Sequence, residues 1–403
     1  MRVLLTEGSS LTSRQVAGRL GALGHQVEIL SSTPVCLTRF TRAVHSVHAV
    51  PRFGLDPFAW LEAAERIVRE RKIDVLFPTH EQVTVLSARQ TRLTVPTIVP
   101  PFASLKRVQD RIAAFRTLTE VGTPQPETVV VTDAGDVSRV VTFPAFIKKP
   151  ISTASSGVRR VCDAVELENA VRILGLRPSG LIVQTQAKGP LIMIQAVAQR
   201  GQLVAHHACQ RLREGIGAGA SLKESLVFPG LRGMLARLVT FLDWHGGLSM
   251  DAIVTENGPL VIDVNPRLVE PANALAAGVD LVGAMLSIAG GNTTAEQPPG
   301  RPGVRTHQTL IAVLGAAAQH GTRRAIVTEA YEAMFSRSVY SASREELTPL
   351  TGDGIAALPV AAALAATLVR PGLWRMFHTG AVGPYAVTAE AWNMILADAD
   401  SAI

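Results

Sequence analysis

The chain has only three cysteines in 403 residues, Cys36, Cys162 and Cys209, and no two stand at metal-binding or redox spacing. That excludes a disulfide scaffold and a cysteine zinc site and points to a reducing compartment. Each thiol is expected to behave as a small buried or half-buried hydrophobe. Aromatic residues are scarce at 5%, and the 39 basic against 33 acidic residues, net +6, include no Lys/Arg block interleaved with aromatics. A nucleic-acid surface is therefore excluded. The histidines, His206 and His207 among them, form no spaced metal set and read as structural. No apolar run reaches the roughly twenty residues that span a bilayer. The longest, Ile355 to Val369, contains Pro359 and reads as a buried or surface-associating helix. The start, Met1 to Thr6, lacks the basic and long apolar regions of a secretory signal. A cytoplasmic protein without a membrane span is expected.

What is present is a chain 47% apolar and long enough for two or three domains. Residues 1 to about 105 alternate strand and helix patterns: strands at Arg2–Thr6, Gln26–Leu30 and Ile73–Phe77, helices from Gly8 to Leu23 and around Pro57–Arg71. This rhythm predicts a parallel sheet with ligand-facing loops at its carboxyl ends. The Glu7-Gly8-Ser9-Ser10 turn lacks the spacing of a dinucleotide fingerprint but offers backbone N–H groups to an anion at a helix start. A helix from Lys106 to about Val121 ends at Gly122, ahead of two prolines.

The most informative stretch is Leu248 to Arg267. It reads as a strand, a Glu256-Asn257-Gly258-Pro259 turn and a second strand. Side chains alternate between faces along a strand, so Asp263, Asn265 and Arg267 share one face. The midpoint between Asp251 and Asp263 falls in the turn, which sets the two carboxylates roughly opposite each other. Two carboxylates and an amide oxygen on one face invite a hard cation such as Mg²⁺, which takes oxygen ligands and shares them with phosphates. Upstream, the strand Phe143–Lys148 runs into Lys149, Pro150 and a loop of small residues ending at Gly157-Val158. Such a loop lets backbone N–H groups approach phosphate oxygens. Only one of Lys148 and Lys149 can face inward: spacing from Pro144 and Gly157 favours Lys148, and the following Pro150 favours Lys149. Arg211 and Arg213, at period two beside the Gly215–Gly219 loop, predict a shared basic face under a mobile lid.

These segments resemble the ATP-grasp superfamily. The hairpin with its acid-x-Asn-x-Arg run is similar to that family's metal-binding hairpin, with Asp where many members have Glu. The Lys148 loop resembles its phosphate-binding lid, with Ser and Thr in place of several glycines. The resemblance spans roughly residues 1 to 290. It implies an α/β fold with a preATP-grasp parallel domain (1–105), a two-lobed α+β ATP-grasp domain (106–295, lid about 128–188) and a mostly helical C-terminal region (296–403). That last region is left to cap the active site or to form a homodimer contact. The resemblance implies Asp251, Asp263 and Asn265 as ligands of Mg²⁺, with Mn²⁺ as a substitute. It implies Arg111, Lys148, Lys149, Ser155, Ser156 and Gly157 around the phosphates of ATP, and Gln184, Thr185 and Ala187 around the adenine. Arg267, Arg211, Arg213 and Lys223 are implied as cations for the γ-phosphate, the substrate carboxylate or an acyl phosphate. Pro78-Thr-His-Glu81 matches a segment that often faces substrate in the family. The implied activity is an ATP-dependent carboxylate–amine ligase acting on small molecules. The alternatives are a bicarbonate-using carboxylase or carbamoyl-phosphate-type enzyme, or a nucleotide-binding module without catalysis. No Met-Lys-Met carrier motif accompanies the chain.

Overall fold

Four short strands, Arg2–Leu5 (β1), Gln26–Ser31 (β2), Val44–Ala49 (β3) and Val75–Phe77 (β4), pair in parallel in the order β3-β2-β1-β4. The computed structural model describes residues 1–153, 157–177, 179–347 and 353–401. Helices Leu11–Ala22 (α1), Pro57–Arg71 (α2) and Val83–Ala88 (α3) connect and follow these strands. Ser10 and Asp56 cap the first two through their side chains. Strand β3 gave no clear signal: it is a half-exposed edge strand, Val-His-Ser-Val-His-Ala, with little apolar alternation. Because β1 continues to β2 on one side and pairs with β4 on the other, the strand order reverses between β1 and β4. The carboxyl ends of these two strands border a crevice of the kind where ligands bind in parallel sheets.

The helix expected from Lys106 to about Val121 is broken in two, Phe102–Gln109 (α4) and Arg111–Val121 (α5). Asp110 is extended, and its carboxylate accepts hydrogen bonds from the backbone of Ile112 and Ala113. An N-cap aspartate starts a new helix and so ends the old one. Next, Thr128–Val131 (β5), Ala145–Lys148 (β6), Val158–Val161 (β7) and Leu181–Thr185 (β8) form an antiparallel sheet in the order β5-β8-β6-β7. Helix Ala164–Leu174 (α6) supplies Leu167 and Ala170 to its core of Val131, Ile147, Val161 and Val183.

Seven strands make the central sheet: Leu191–Gln199 (β9), Gln202–Glu214 (β10), Ala220–Leu226 (β11), Gly246–Thr255 (β12), Gly258–Asn265 (β13), Arg305–His307 (β14) and Ser343–Glu345 (β15). They are ordered β13-β12-β9-β10-β11-β14-β15. One face is apolar and packs Ile192, Ile194 and Met250 against Leu231–Phe241 (α7). The register places Asn265, Ser249, Gln195 and His207 side by side on the opposite face, where the site lies. Helices Ala272–Ala277 (α8) and Leu281–Ala289 (α9) pack the sheet onto the N-terminal layer through a shared core with Val3, Leu5 and Ile29.

The remaining helices are Thr309–Gln319 (α10), Arg323–Met334 (α11), Leu358–Val369 (α12), Trp374–Val382 (α13) and Ala389–Asp400 (α14). Helix α12 lies in the long apolar run, yet it buries only Val360, Ala363 and Thr367 and exposes Leu358 and Val369. It lies on α10 by one face rather than inside a core. Helix α14 returns to the N-terminal layer, where Trp392 and Ile395 join Leu4, Leu30 and Leu76 in one cluster. Among the described residues no helix is long and apolar enough to cross a membrane. Cys36 and Cys209 are buried as expected; Cys162, at the edge of the small sheet, is exposed.

Candidate active site

The β12–β13 hairpin pairs Thr255 with Gly258 at its tip, where Gly258 takes a φ of +107° that favours glycine. Continued without interruption, that register would set Asp251 opposite Ile262. It is interrupted: Ala252 pairs with Val261, and the next pair is Asp251 with Asp263. Ile262 is therefore the extra residue of a β-bulge. The bulge moves Asp263 directly across from Asp251, and the pairs that follow keep Asn265 opposite Ser249 on the same face. It also frees the Ile262 carbonyl from the ladder. Lys148 Nζ donates to that oxygen at 2.8 Å and to Gln184 Oε1 at 2.8 Å.

Asp251 accepts no hydrogen bond among the described residues. Burial first, and the facing Asp263 second, push its pKa up to about 7, while Lys148 and Arg211 pull the other way. A carboxylate left without donors, half-buried and opposite a second carboxylate, suits a cation better than any other partner. No cluster of three or more His, Cys, Asp or Glu side chains forms a metal site among the described residues. The donors here are two carboxylates and the Asn265 amide, an all-oxygen set. That fits Mg²⁺, which takes few protein ligands and keeps water and phosphate for the rest.

Three elements converge on this hairpin. Arg111, the first residue of α5, donates Nε to Asp263 Oδ1 at 3.1 Å, and its Nη1 donates to the Lys149 carbonyl (2.9 Å) and to Ser152 Oγ (2.7 Å). The helix break at Asp110 is what aims it there. Lys148 ends β6, buried, and burial lowers its pKa to about 8, with Arg111 adding to the fall and Asp263 and Asp251 opposing it. Lys149 is half-buried. Its backbone N–H donates to the Gly157 carbonyl at 2.9 Å, closing the neck of the loop. A Cβ at Gly157 would come within 2.7 Å of Ser152 Cβ and Oγ, so no side chain fits there unless Ser152 moves. Ser155 and Ser156 lie outside the described residues. Gln184 on β8 shares the face of Lys148, accepts its hydrogen bond and donates Nε2 to Thr128 Oγ1 at 3.3 Å. Thr185 ends β8, and Ala187 follows, half-buried, in the connection to β9.

No model of a known protein family matches the sequence, and no curated protein matches it. The likeness is in structure. The biotin carboxylase domain of Hydrogenobacter thermophilus 2-oxoglutarate carboxylase, solved with MgADP, ADP and bicarbonate, is similar over 75% of this chain and 73% of its own. The identity is 16% and the TM-score 0.59. N5-carboxyaminoimidazole ribonucleotide synthetase from Thermus thermophilus matches 76% of this chain and 81% of its own, at 20% identity and a TM-score of 0.58. L-amino acid ligase from Bacillus licheniformis matches 72% and 73%, at 16% identity and a TM-score of 0.57. All three are ATP-grasp proteins. The chain has the ATP-grasp fold.

Within that ATP-grasp frame several expected cations stand differently from the sequence reading. Arg211 and Arg213 do not share a face. Arg211 pairs with Lys223 on β11, then a register shift sets Arg213 opposite Leu222. Neighbours along a strand point to opposite faces, so the bulge sends the two arginines apart. Arg213 forms a two-pronged ion pair with Glu329 of α11, at 2.8 and 2.6 Å, beside the Tyr340 ring. Arg211 bonds the Ala218 carbonyl at 2.6 Å and Glu214 at 3.0 Å. Lys223 is fully buried, with Nζ at 2.5 Å from Glu270 and 2.9 Å from Glu346. Burial alone would lower its pKa, and the two carboxylates outweigh that and raise it. Arg267 stays at the site and pairs with Glu81 at 2.9 Å, both buried.

The Glu7–Ser10 turn offers no free anion site. The Glu7 carboxylate itself takes the backbone N–H groups of Ser9 and Ser10 and the hydroxyls of Ser10 and Ser13. Sequence reasoning missed Glu270, Glu346 and Tyr385. Glu270 stands three residues after Arg267, and its φ of +51° marks a held backbone. Glu346 and Tyr385 sit in a stretch whose pattern carries no local chemical signal.

Proposed function

We propose that this protein is an ATP- and Mg²⁺-dependent ligase that joins a carboxylate to an amine through an acyl phosphate and releases ADP and phosphate. The observation that carries this is Asp251, without a donor, facing Asp263 across a bulged hairpin, with Lys148 and Arg111 drawn to the same spot. Asp251, Asp263 and Asn265 would hold Mg²⁺ or Mn²⁺, which when bound offsets phosphate charge. Lys148 and Arg111 bind other phosphate oxygens. Lys149, Ser155, Ser156 and Gly157 complete the phosphate-binding set in this reading. Gln184, Thr185 and Ala187 receive the adenine. The substrate carboxylate attacks the γ-phosphorus and ADP leaves; an amine then displaces phosphate from the acyl carbon. Arg267 stabilises the charge of both steps, with Arg211 nearby, since phosphoryl transfer depends mainly on positioning and electrostatics. Arg213 and Lys223 hold protein carboxylates in this reading rather than substrate.

A second reading keeps bicarbonate as the acid, because the 2-oxoglutarate carboxylase domain of similar fold was solved with bicarbonate bound. Phosphate release from Mg·ATP across a panel of small acids and amines, singly and in pairs, separates the two. Release that needs both an acid and an amine supports the ligase. Release that needs bicarbonate supports the second reading. Asp263→Ala is expected to abolish ADP formation with little change in the unfolding temperature; a fully active variant would remove the metal role.

A further inference from the structure

Helix α12 turns one apolar face to the core and another to the outside. Val360 and Ala363 pack with Leu310, Ile311 and Leu314 of α10, and Thr367 continues that buried row. On the opposite side Leu358, Ala361, Ala362, Ala365 and Val369 are all exposed, Leu358 at 54% and Val369 at 73%. Their spacings of three and four residues make one continuous stripe. A helix that packs by one face on a core ordinarily turns polar or charged side chains outward. This one turns none. Past the short turn Pro371–Leu373, Met376 of α13 is 70% exposed as well.

The charge at the end of the stripe is of one sign. Arg370 follows Val369 directly, and Arg375 lies over the Trp374 ring, 4.9 Å from its centroid. Arg323 of α11 donates to the Leu368 and Val369 carbonyls at 2.7 and 3.2 Å, which sets a third guanidinium at the same end. None of the three forms an ion pair among the described residues. Between Asp353 and Glu390 the sequence has no acidic residue. Asp353 is itself held by the Thr41 hydroxyl and the Arg42 backbone. Helix α10 carries no charge at all. On α11, Glu329 is paired with Arg213, and Glu332 lies beyond it, about 14 Å along the helix from Arg323. An exposed apolar stripe thus ends in three cations that the fold leaves without carboxylates.

We propose that α12 docks on the surface of a bilayer containing anionic lipid, with its stripe against the acyl boundary and Arg323, Arg370 and Arg375 on the lipid phosphates. Apolar burial and the attraction of cations to anionic headgroups act together in such helices. Trp374 stands at the arginine end, and its ring type favours the headgroup level. The helix has twelve residues, so it lies on the bilayer and does not cross it. A second copy of the chain fits less well, because its own α12 face has no carboxylate to offer the arginines. A folded protein partner also fits less well: a stripe made mainly of alanine has no large anchor side chain at its centre. A bilayer asks for no shape match. The inference goes beyond the ligase reading and is independent of it.

The test is co-flotation of the full-length protein with vesicles of phosphatidylcholine alone, or of phosphatidylcholine with about 30% phosphatidylglycerol. Binding is expected only with the anionic vesicles at about 0.05 M salt, and is expected to fall steeply at about 0.5 M as screening shortens the reach of the arginines. Arg370→Gln combined with Arg375→Gln is expected to weaken partitioning about 25-fold, roughly fivefold for each charge removed. Val369→Glu, which sets a carboxylate in the stripe, is expected to weaken it as well. All three positions are exposed, so the unfolding temperature should not move. Arg66→Gln combined with Arg69→Gln removes the same charge from exposed positions of α2 and should leave binding unchanged. No binding to anionic vesicles, or unaltered binding in either α12 variant, overturns the proposal. Equal loss in the two arginine pairs also overturns it, since net charge alone then explains the attraction. Sedimentation velocity tests the second copy: a dimer that Val369→Glu dissociates assigns the stripe to self-association and overturns the proposal. None of these readouts uses ATP turnover, so their failure leaves the ligase reading untouched.

Discussion

Asp251 sits under two opposed demands, burial and a facing carboxylate, and its raised pKa of about 7 records both. The sign follows directly. Its folded value lies above the ordinary 3.8, so the group's contribution to stability is complete below about pH 3.8 and is lost as the pH rises through about 7. A bound cation restores that loss. Mg²⁺ needs the ionised form, so its affinity is expected to climb by about tenfold per pH unit below pH 7 and to level above it. Titration calorimetry across pH 5.5 to about 8.5 checks this, and Asp251→Asn is expected to remove the slope. Lys223 makes a second residue-scale case. Lys223→Met leaves Glu270 and Glu346 buried with one cation fewer and is expected to cost about 3–5 kcal/mol in denaturant unfolding. The carboxylates and Lys148 were legible in the sequence because strand alternation is a local property. The partners of Lys223 were not, because 47 and 123 residues separate it from Glu270 and Glu346.

At the scale of the element, two bulges decide which side chains reach the site. The one at Ile262 brings Asp263 opposite Asp251 and frees a carbonyl for Lys148; the one after Arg211 turns Arg213 away. A one-residue slip flips a side chain to the other face of a sheet, so simple counting located the first pair and misplaced the second. The loop between β6 and β7 is held at its neck by Gly157. Gly157→Ala pushes on Ser152, whose hydroxyl Arg111 holds. Overpacking of this kind costs about 1–3 kcal/mol, and it falls on the lid rather than on a core. The expected outcome is a KM for ATP raised by about tenfold (near the middle of that range) with the unfolding midpoint almost unchanged. Initial rates at varied ATP measure it, and an unaltered KM would separate the loop from nucleotide binding.

Across the whole molecule, the chain's two ends share one core. Trp392 and Ile395 of α14 pack with Leu4, Leu30 and Leu76, and Arg89 pairs with Asp398. Trp392→Ala is expected to lose about 3–5 kcal/mol. Chemical denaturation followed by two probes, one in the N-terminal layer and one in α14, should show both ends unfolding together. An N-terminal layer that stays folded after α14 is lost would contradict a shared core. This packing also carries Tyr385 to the β1–β4 crevice, a placement that no local pattern in the last hundred residues announced. The sequence by itself determined the parallel N-terminal layer, the acidic hairpin and the Lys148 strand, because periodicity, caps and turns act over a few residues. Only the tertiary structure decided which arginines reach the hairpin, which carboxylates hold Lys223, and that the C-terminal segment reaches the crevice. Those outcomes depend on bulges and on burial between segments far apart in the chain, where the energy comes from contacts the local chain does not contain.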